Sequence, residues 1–282
     1  MAIPVRWIKH YSAEDILYYR ILTALVVLWS FLLLFRRSSL RKDIETFKKQ
    51  SKRERQSTLG FILVASALIF GNWYTYIYAV NHISVQSAAF AYLICPLITA
   101  IAAFWVLKEK LSSVKKIALG IALVSALMLA SGSLTDALWS IAIATLYAFY
   151  LVVQRIAQGF DKLHILAIQL SVCSVFVVPR LIFNQHAIPQ ELIFWESILT
   201  IAIIFTIIPL FLSMYALTRI SSTTTGVLLY INPLIAFSLA VLYFREPVDA
   251  HKYIAYLLIL FAIVLFNWET GFHQIKQRVN RI

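Results

Sequence analysis

The chain has 282 residues, 61% of them hydrophobic and 13% charged, with a mean hydropathy of +0.81 and a formal net charge of +12. Most of it would be insoluble as a globule in water, so it reads as an integral membrane protein. Two cysteines without a CxxC pair argue against a disulfide scaffold or a thiolate metal site.

Apolar runs long enough to cross a hydrocarbon core of about 30 Å as helix begin near Ile16, Thr58, Ser87, Ile117, Ala137, His164, Ser197, Thr223 and Tyr253. They are continuously apolar and do not alternate, which favours helices over a β-barrel. Ahead of the first run, the segment from Ala2 to His10 reads as the outer end of a truncated first helix, although a simple polar amino terminus stays open. No basic n-region and small-residue cleavage site frame the first run, which argues against a signal peptide.

The run from Ile16 to Phe35 carries Arg20 about one turn below its outer end. A charge inside a span is by default a functional candidate, here an anion contact or gate, but so long a side chain can also snorkel to water. Residues 36–57 form a basic connection. In the next run Asn72, Trp73 and Tyr76 share one helical face, while Tyr74 and Tyr78 read as an interfacial belt. Tyr92 precedes Pro96 by one turn in the Ser87 run, and a second basic connection holds Lys108, Glu109, Lys110, Lys115 and Lys116. Further on, Tyr147 and Tyr150 lie one turn apart; Gln169 and Thr206 fall within two more runs; and Asn232 beside Pro233 reads as a second buried amide. Both prolines remove an i→i−4 hydrogen bond, freeing the carbonyls of Tyr92 and Leu229. They are expected to be hinges, against the plainer reading of bends for packing. Cys95 and Cys173 read as small apolar packing residues.

Two blocks of the chain match without a gap. Reading Tyr78 to Leu123 against Tyr215 to Leu260 pairs Tyr78 with Tyr215, Ser84 with Ser221, Pro96 with Pro233, Glu109 with Glu246 and Lys115 with Lys252. The proline and charged pairs, kept in register through a loop, point to duplication. Lys and Arg concentrate in alternate connections, which places those and the carboxyl terminus on the cytoplasmic side. With five helices per half, the two halves have opposite orientation. The expected fold is therefore all-α and integral to the membrane. It is an inverted repeat of two five-helix bundles, residues 1–134 and 135–282, with nine full transmembrane helices plus the truncated first helix.

Inverted repeats imply alternating access to a site near the bilayer midplane. The candidates for substrate contact are Asn72, Trp73, Tyr76, Tyr92, Asn232, Tyr147, Tyr150, Gln169 and Arg20, an aromatic and weakly polar set suited to an uncharged or amphipathic small molecule. No carboxylate or histidine lies deep in a span, and no cofactor or metal is expected. Glu109 and Glu246 read as interfacial ion-pair partners of Lys108 and Arg245. There is no HExxH, nucleophile elbow or Walker loop. The Ser112/Lys115 spacing matches SxxK but lacks partners, so an enzyme or an accessory subunit stands only as the alternative. Anionic lipid accounts for the basic excess without nucleic acid. A monomer or homodimer in the bilayer is expected.

The stretch Gly71-Asn-Trp-Tyr-Thr-Tyr-Ile-Tyr-Ala-Val-Asn81, with Ser87-Ala-Ala-Phe-Ala-Tyr-Leu-Ile-Cys-Pro-Leu97 and Leu107-Lys-Glu-Lys110, resembles the RarD branch of the EamA drug/metabolite transporters. Tyr230-Ile-Asn-Pro-Leu234 and Phe244-Arg-Glu-Pro247 are similar to its second half, and Asp15 to Arg20 to its acidic-x-x-x-x-Arg segment. The resemblance implies ten helices in two inverted repeats, a bacterial inner-membrane location with both ends cytoplasmic, and a transport role, here expected to be export of a small metabolite or drug.

Overall fold

A computed structural model describes the chain except residues 1–3, 5, 6, 9, 84, 131–133, 157, 184–187, 243–249 and 280–282, and the side chains of 80, 81, 85–89, 236, 239–241 and 269–279. The described elements are helices: α1 (Ala13–Phe35), α2 (Arg37–Lys49), α3 (Lys52–His82), α4 (Val85–Val106), α5 (Ser113–Leu129), α6 (Leu134–Ile156), α7 (Lys162–Phe183), α8 (Leu192–Ala202), α9 (Ile208–Ala216), α10 (Ser222–Leu228), α11 (Ile231–Leu242) and α12 (Ala250–Val279). Helical segments run through the nine apolar runs, but the run from Ser197 contains a π turn and the run from Thr223 is split between α10 and α11. Among the described residues, six helical stretches combine at least 18 residues with enough apolar character to cross a bilayer, and Phe90–Val106 is a shorter apolar stretch. Large apolar side chains such as Leu34, Trp105, Leu127 and Leu257 stand exposed along these helices, as a lipid-facing surface requires.

The connection read across 36–57 is instead the helix α2, followed by the first turns of α3. Its high charge conceals a stripe of Leu40, Ile44 and Phe47 at i, i+4 and i+7, one helical face. Ser51 then starts α3 with a reciprocal capping box: its amide donates to Glu54 Oε2 at 2.7 Å and its hydroxyl accepts the Glu54 amide at 3.3 Å. Ser12 and Ser112 cap α1 and α5 through their hydroxyls, accepting the amides of Asp15 and Lys115 at 3.0 and 3.3 Å. The SxxK spacing at Ser112 is thus a helix start.

The chain forms two compact units. One comprises Met1–Ile77 and Val153–Arg219, the other Tyr78–Val152 and Ile220–Ile282. In the first, α1 packs on α7 and α8. Ile8, Ile16, Phe194, Ile198 and Ile201 form a core there, edged by Tyr11 and Tyr19 at centroid distances of 4.5 and 5.4 Å from Phe194. The amino-terminal segment is therefore anchored through Ile8. Between α8 and α9, residues Ile203–Ile207 make a π-helical turn just ahead of Pro209, where the wider turn accommodates the missing amide. Inward residues run Phe194, Ile198 and Ile201 before this turn, Thr206 within it, and Leu210 and Met214 after it.

In the second unit α5 packs along α12. Ala118, Ala122 and Ala126 form a small-residue stripe against Ile259, Ala262 and Phe266, the close approach on which helix pairs in lipid depend. Ser125 donates to the carbonyl of Ala255 at 2.7 Å across the same seam. Helix α10 packs on α4 at Gly226, where an added Cβ would lie 2.9 Å from Thr99 Cβ. Only glycine permits that approach.

Candidate functional site

In the first unit the expected polar face of α3 is present. Asn72 is buried, and Trp73 and Tyr76 are half-buried one turn apart. Arg20 on α1 is 7% exposed and its guanidinium lies over the Trp73 ring, 4.8 Å from the centroid. A cation over an indole face is stabilised by the ring quadrupole, by about 2 kcal/mol or more when desolvated. Arg20 does not snorkel: it shares the face of α1 that meets the core, with Leu17, Ile21, Ala24 and Leu28 buried beside it.

Gln169 on α7 is buried, as expected, and accepts a hydrogen bond of 2.9 Å from Gln154 Nε2 on α6, which is also buried. Gln154 escaped the sequence reading because it sits near a helix end, where an amide normally meets water. Thr206 is buried but donates to the carbonyl of Ile201 at 3.0 Å inside the π turn. Asp43 of α2 reaches Nδ1 of buried His164 on α7 at 2.5 Å. Arg36 pairs with Asp161, and the Asp161 amide donates to Asp43 at 3.0 Å. This ionic cluster was invisible while 36–57 read as a loop.

In the second unit Tyr150 is fully buried and Tyr147 half-buried, their rings 5.8 Å apart. Tyr92 is 38% exposed. Asn232 departs from expectation: it is exposed. The helix breaks at Leu229–Tyr230 and restarts at Ile231, so Asn232 lies in the first turn of α11 and not within a continuous span. The Leu229 carbonyl is not freed either, for it accepts the Asn232 amide at 3.0 Å. Pro96, by contrast, is buried inside the unbroken α4. The buried Tyr230 hydroxyl has no partner among the described residues. That phenol lies at the break, and its Tyr-Ile-Asn-Pro setting was the available signal for it.

Glu109 is also corrected. It makes no ion pair among the described residues; its carboxylate accepts the Ser222 amide at 2.8 Å, the Thr223 amide at 3.1 Å and the Thr223 hydroxyl at 2.7 Å. The acid caps the start of α10, where helix amides are unsatisfied and the dipole favours negative charge. Lys108 enables this by adopting φ 56° just past α4. Arg245 and Glu246 lie outside the described residues. In the first unit, Arg155 donates to the carbonyl of Leu217 at the end of α9.

A family model for the EamA-like transporter family matches residues 3–131 and again 134–268. The chain belongs to the EamA-like transporter family. It is similar to Protein RarD of Streptomyces exfoliatus, 27% identical over 95% of this chain and 84% of that protein. It is also similar to Protein RarD of Escherichia coli K12, 26% identical over 95% and 88%. The uncharacterized transporter YojE of Bacillus subtilis 168 is 28% identical over 94% and 89%. A solved crystal structure, 14% identical, matches with TM-score 0.74 over 94% of this chain and 90% of that one, which supports the fold. Within the family this is a RarD-type chain, a multi-pass membrane transporter of the drug/metabolite class.

Proposed function

We propose that the protein is a secondary transporter of the bacterial inner membrane, with a cytoplasmic carboxyl terminus, that exports a small organic metabolite or drug by alternating access between inverted repeats. The observation that carries this reading is Arg20, a buried guanidinium held against the Trp73 ring on the face that also bears Asn72 and Tyr76. A buried charge of this kind is costly in a bilayer and is characteristic of a solute pathway. Arg20 would bind an anionic or strongly polar group of the solute, Trp73 and Tyr76 would stack on its apolar part, and the Asn72 amide would fix its orientation. Tyr92, Tyr147, Tyr150 and Asn232 would supply contacts in the second unit, and Pro96 and Pro233 the bending points. Gln169 is reassigned to holding α7 on α6, since its carbonyl is already taken by Gln154.

The test is counterflow in proteoliposomes with radiolabelled amino acids, nucleosides and chloramphenicol. Saturable exchange of one compound, lost in Asn72→Ala and Arg20→Gln with folding intact, would support the reading. Folded protein without flux across the whole panel would move a membrane-bound enzyme or accessory role ahead of it.

A further inference from the structure

Helix α2 stands apart from the transport machinery. None of its residues is buried, yet it is held at both ends. The Arg36 guanidinium pairs with Asp161 ahead of its first turn, Asp43 bonds His164 at 2.5 Å in its middle, and Arg55 donates to the carbonyl of Phe47 at 3.0 Å and to that of Lys48. Ser39 and Asp43, one turn apart, therefore mark the side turned to α7.

At 100° per residue, Leu40, Ile44 and Phe47 form the neighbouring stripe, with Ile44 46% exposed. Arg37, Arg41 and Lys48 follow immediately around the helix, and Lys42 and Lys49 lie farther round. Arg41, Lys42, Lys48 and Lys49 are exposed and have no ion-pair partner among the described residues. The carboxylates on this helix do not offset them: Asp43 is engaged with His164, leaving Glu45. The α1 end that leads into α2 is itself lipid-facing, with Leu34 70% and Phe35 73% exposed. An apolar stripe bordered by cations, continuous with a lipid-facing span, has the pattern of a helix lying in the membrane interface.

We propose that α2 is an anionic-phospholipid docking surface: Ile44, Leu40 and Phe47 enter the acyl boundary while Arg41, Lys48 and Arg37 meet headgroup phosphates. The occupant follows from charge complementarity, since anionic headgroups attract clustered Lys and Arg over about a Debye length. The Asp43–His164 and Arg36–Asp161 contacts then link that lipid surface to the start of α7.

The test uses the full chain with Ile44→Cys as the labelling site for a polarity-sensitive fluorophore, in a Cys95→Ala/Cys173→Ala background. The protein is placed in phosphatidylcholine vesicles with and without phosphatidylglycerol. Emission should shift to the blue when phosphatidylglycerol is present, fall back on raising the salt, and lose the shift in Arg41→Gln/Lys42→Gln/Lys48→Gln/Lys49→Gln. Retained protease resistance would show that this variant folds. Equal emission in both vesicles would overturn the proposal. So would a shift reproduced by inorganic phosphate in phosphatidylcholine alone, or one that tracks protein density and so reports a second copy of the chain.

Discussion

Replacing Glu109 with alanine should loosen one unit of this protein while leaving the other nearly unchanged. The carboxylate accepts three hydrogen bonds from the first two residues of α10, and Ser222 and Thr223 are buried. Truncation strands two buried amides and a hydroxyl; at about 1–3 kcal/mol per buried group left unsatisfied, with allowance for rearrangement, the loss is about 2–4 kcal/mol. Each 1.4 kcal/mol is a factor of ten, so opening of the α4–α10 seam should become roughly thirtyfold to a thousandfold more frequent if it breaks this contact. The chain carries its own reporters: Cys95 on α4 lies in the same unit as Glu109, and Cys173 on α7 in the other, both buried. Thiol-reactive dye labelling of single-cysteine variants in detergent micelles should accelerate strongly at Cys95 and little at Cys173. Glu109→Gln keeps one carbonyl acceptor and should fall between. Equal acceleration at both cysteines, or none at either, would refute the capping argument.

Gly226→Ala should lower the thermal midpoint by an amount corresponding to about 1–3 kcal/mol of overpacking, because its Cβ would meet Thr99 Cβ and Cγ2, both at 2.9 Å. Thr99→Gly should relieve the defect more fully than Thr99→Ala, which keeps the Cβ, in the same melting assay. Gln169→Leu alone should cost about 1–3 kcal/mol by stranding the Gln154 amide, and adding Gln154→Leu should recover part of it; a double-mutant cycle on thermal unfolding reads the coupling. Trp73→Ala should weaken solute binding and Trp73→Phe less so, since an indole holds a cation better than a phenyl ring does; counterflow half-saturation measures the order.

The spans and the polar face at 72–76 were legible because apolar length and helical spacing survive in one dimension. Arg20 was legible as a charge within a span, with snorkelling left open, but not as a partner of Trp73, for the two meet only when α1 and α3 pack. Three features were hidden for separate reasons. Helix α2 looked like a loop because high charge masks a three-residue apolar stripe. Asn232 looked buried because the break at Leu229–Tyr230 leaves no apolar gap in the sequence. Glu109 looked like half of an ion pair because Lys108 and Lys110 flank it, whereas its hydrogen-bond donors, Ser222 and Thr223, stand far along the chain. Adjacent charges in sequence say little about partners once a residue past a helix end turns through positive φ.

The π turn at Ile203–Ile207 makes this part of the chain behave like a text with one letter inserted. Upstream the core side is spelled by 194, 198 and 201, which an uninterrupted helix would continue at 205 and 208; instead the turn itself buries 206 and 207, and 210 and 214 are buried beyond it. Deleting one residue within 203–207 would remove the extra letter, restore a regular helix and leave Leu210 and Met214 facing inward, whereas deleting one residue of the regular helix beyond the turn would swing everything after it by about 100°. Two relatives could therefore share every helix here and still disagree about which side chains point inward, so pairing residues by position across this turn requires a one-residue step in phase.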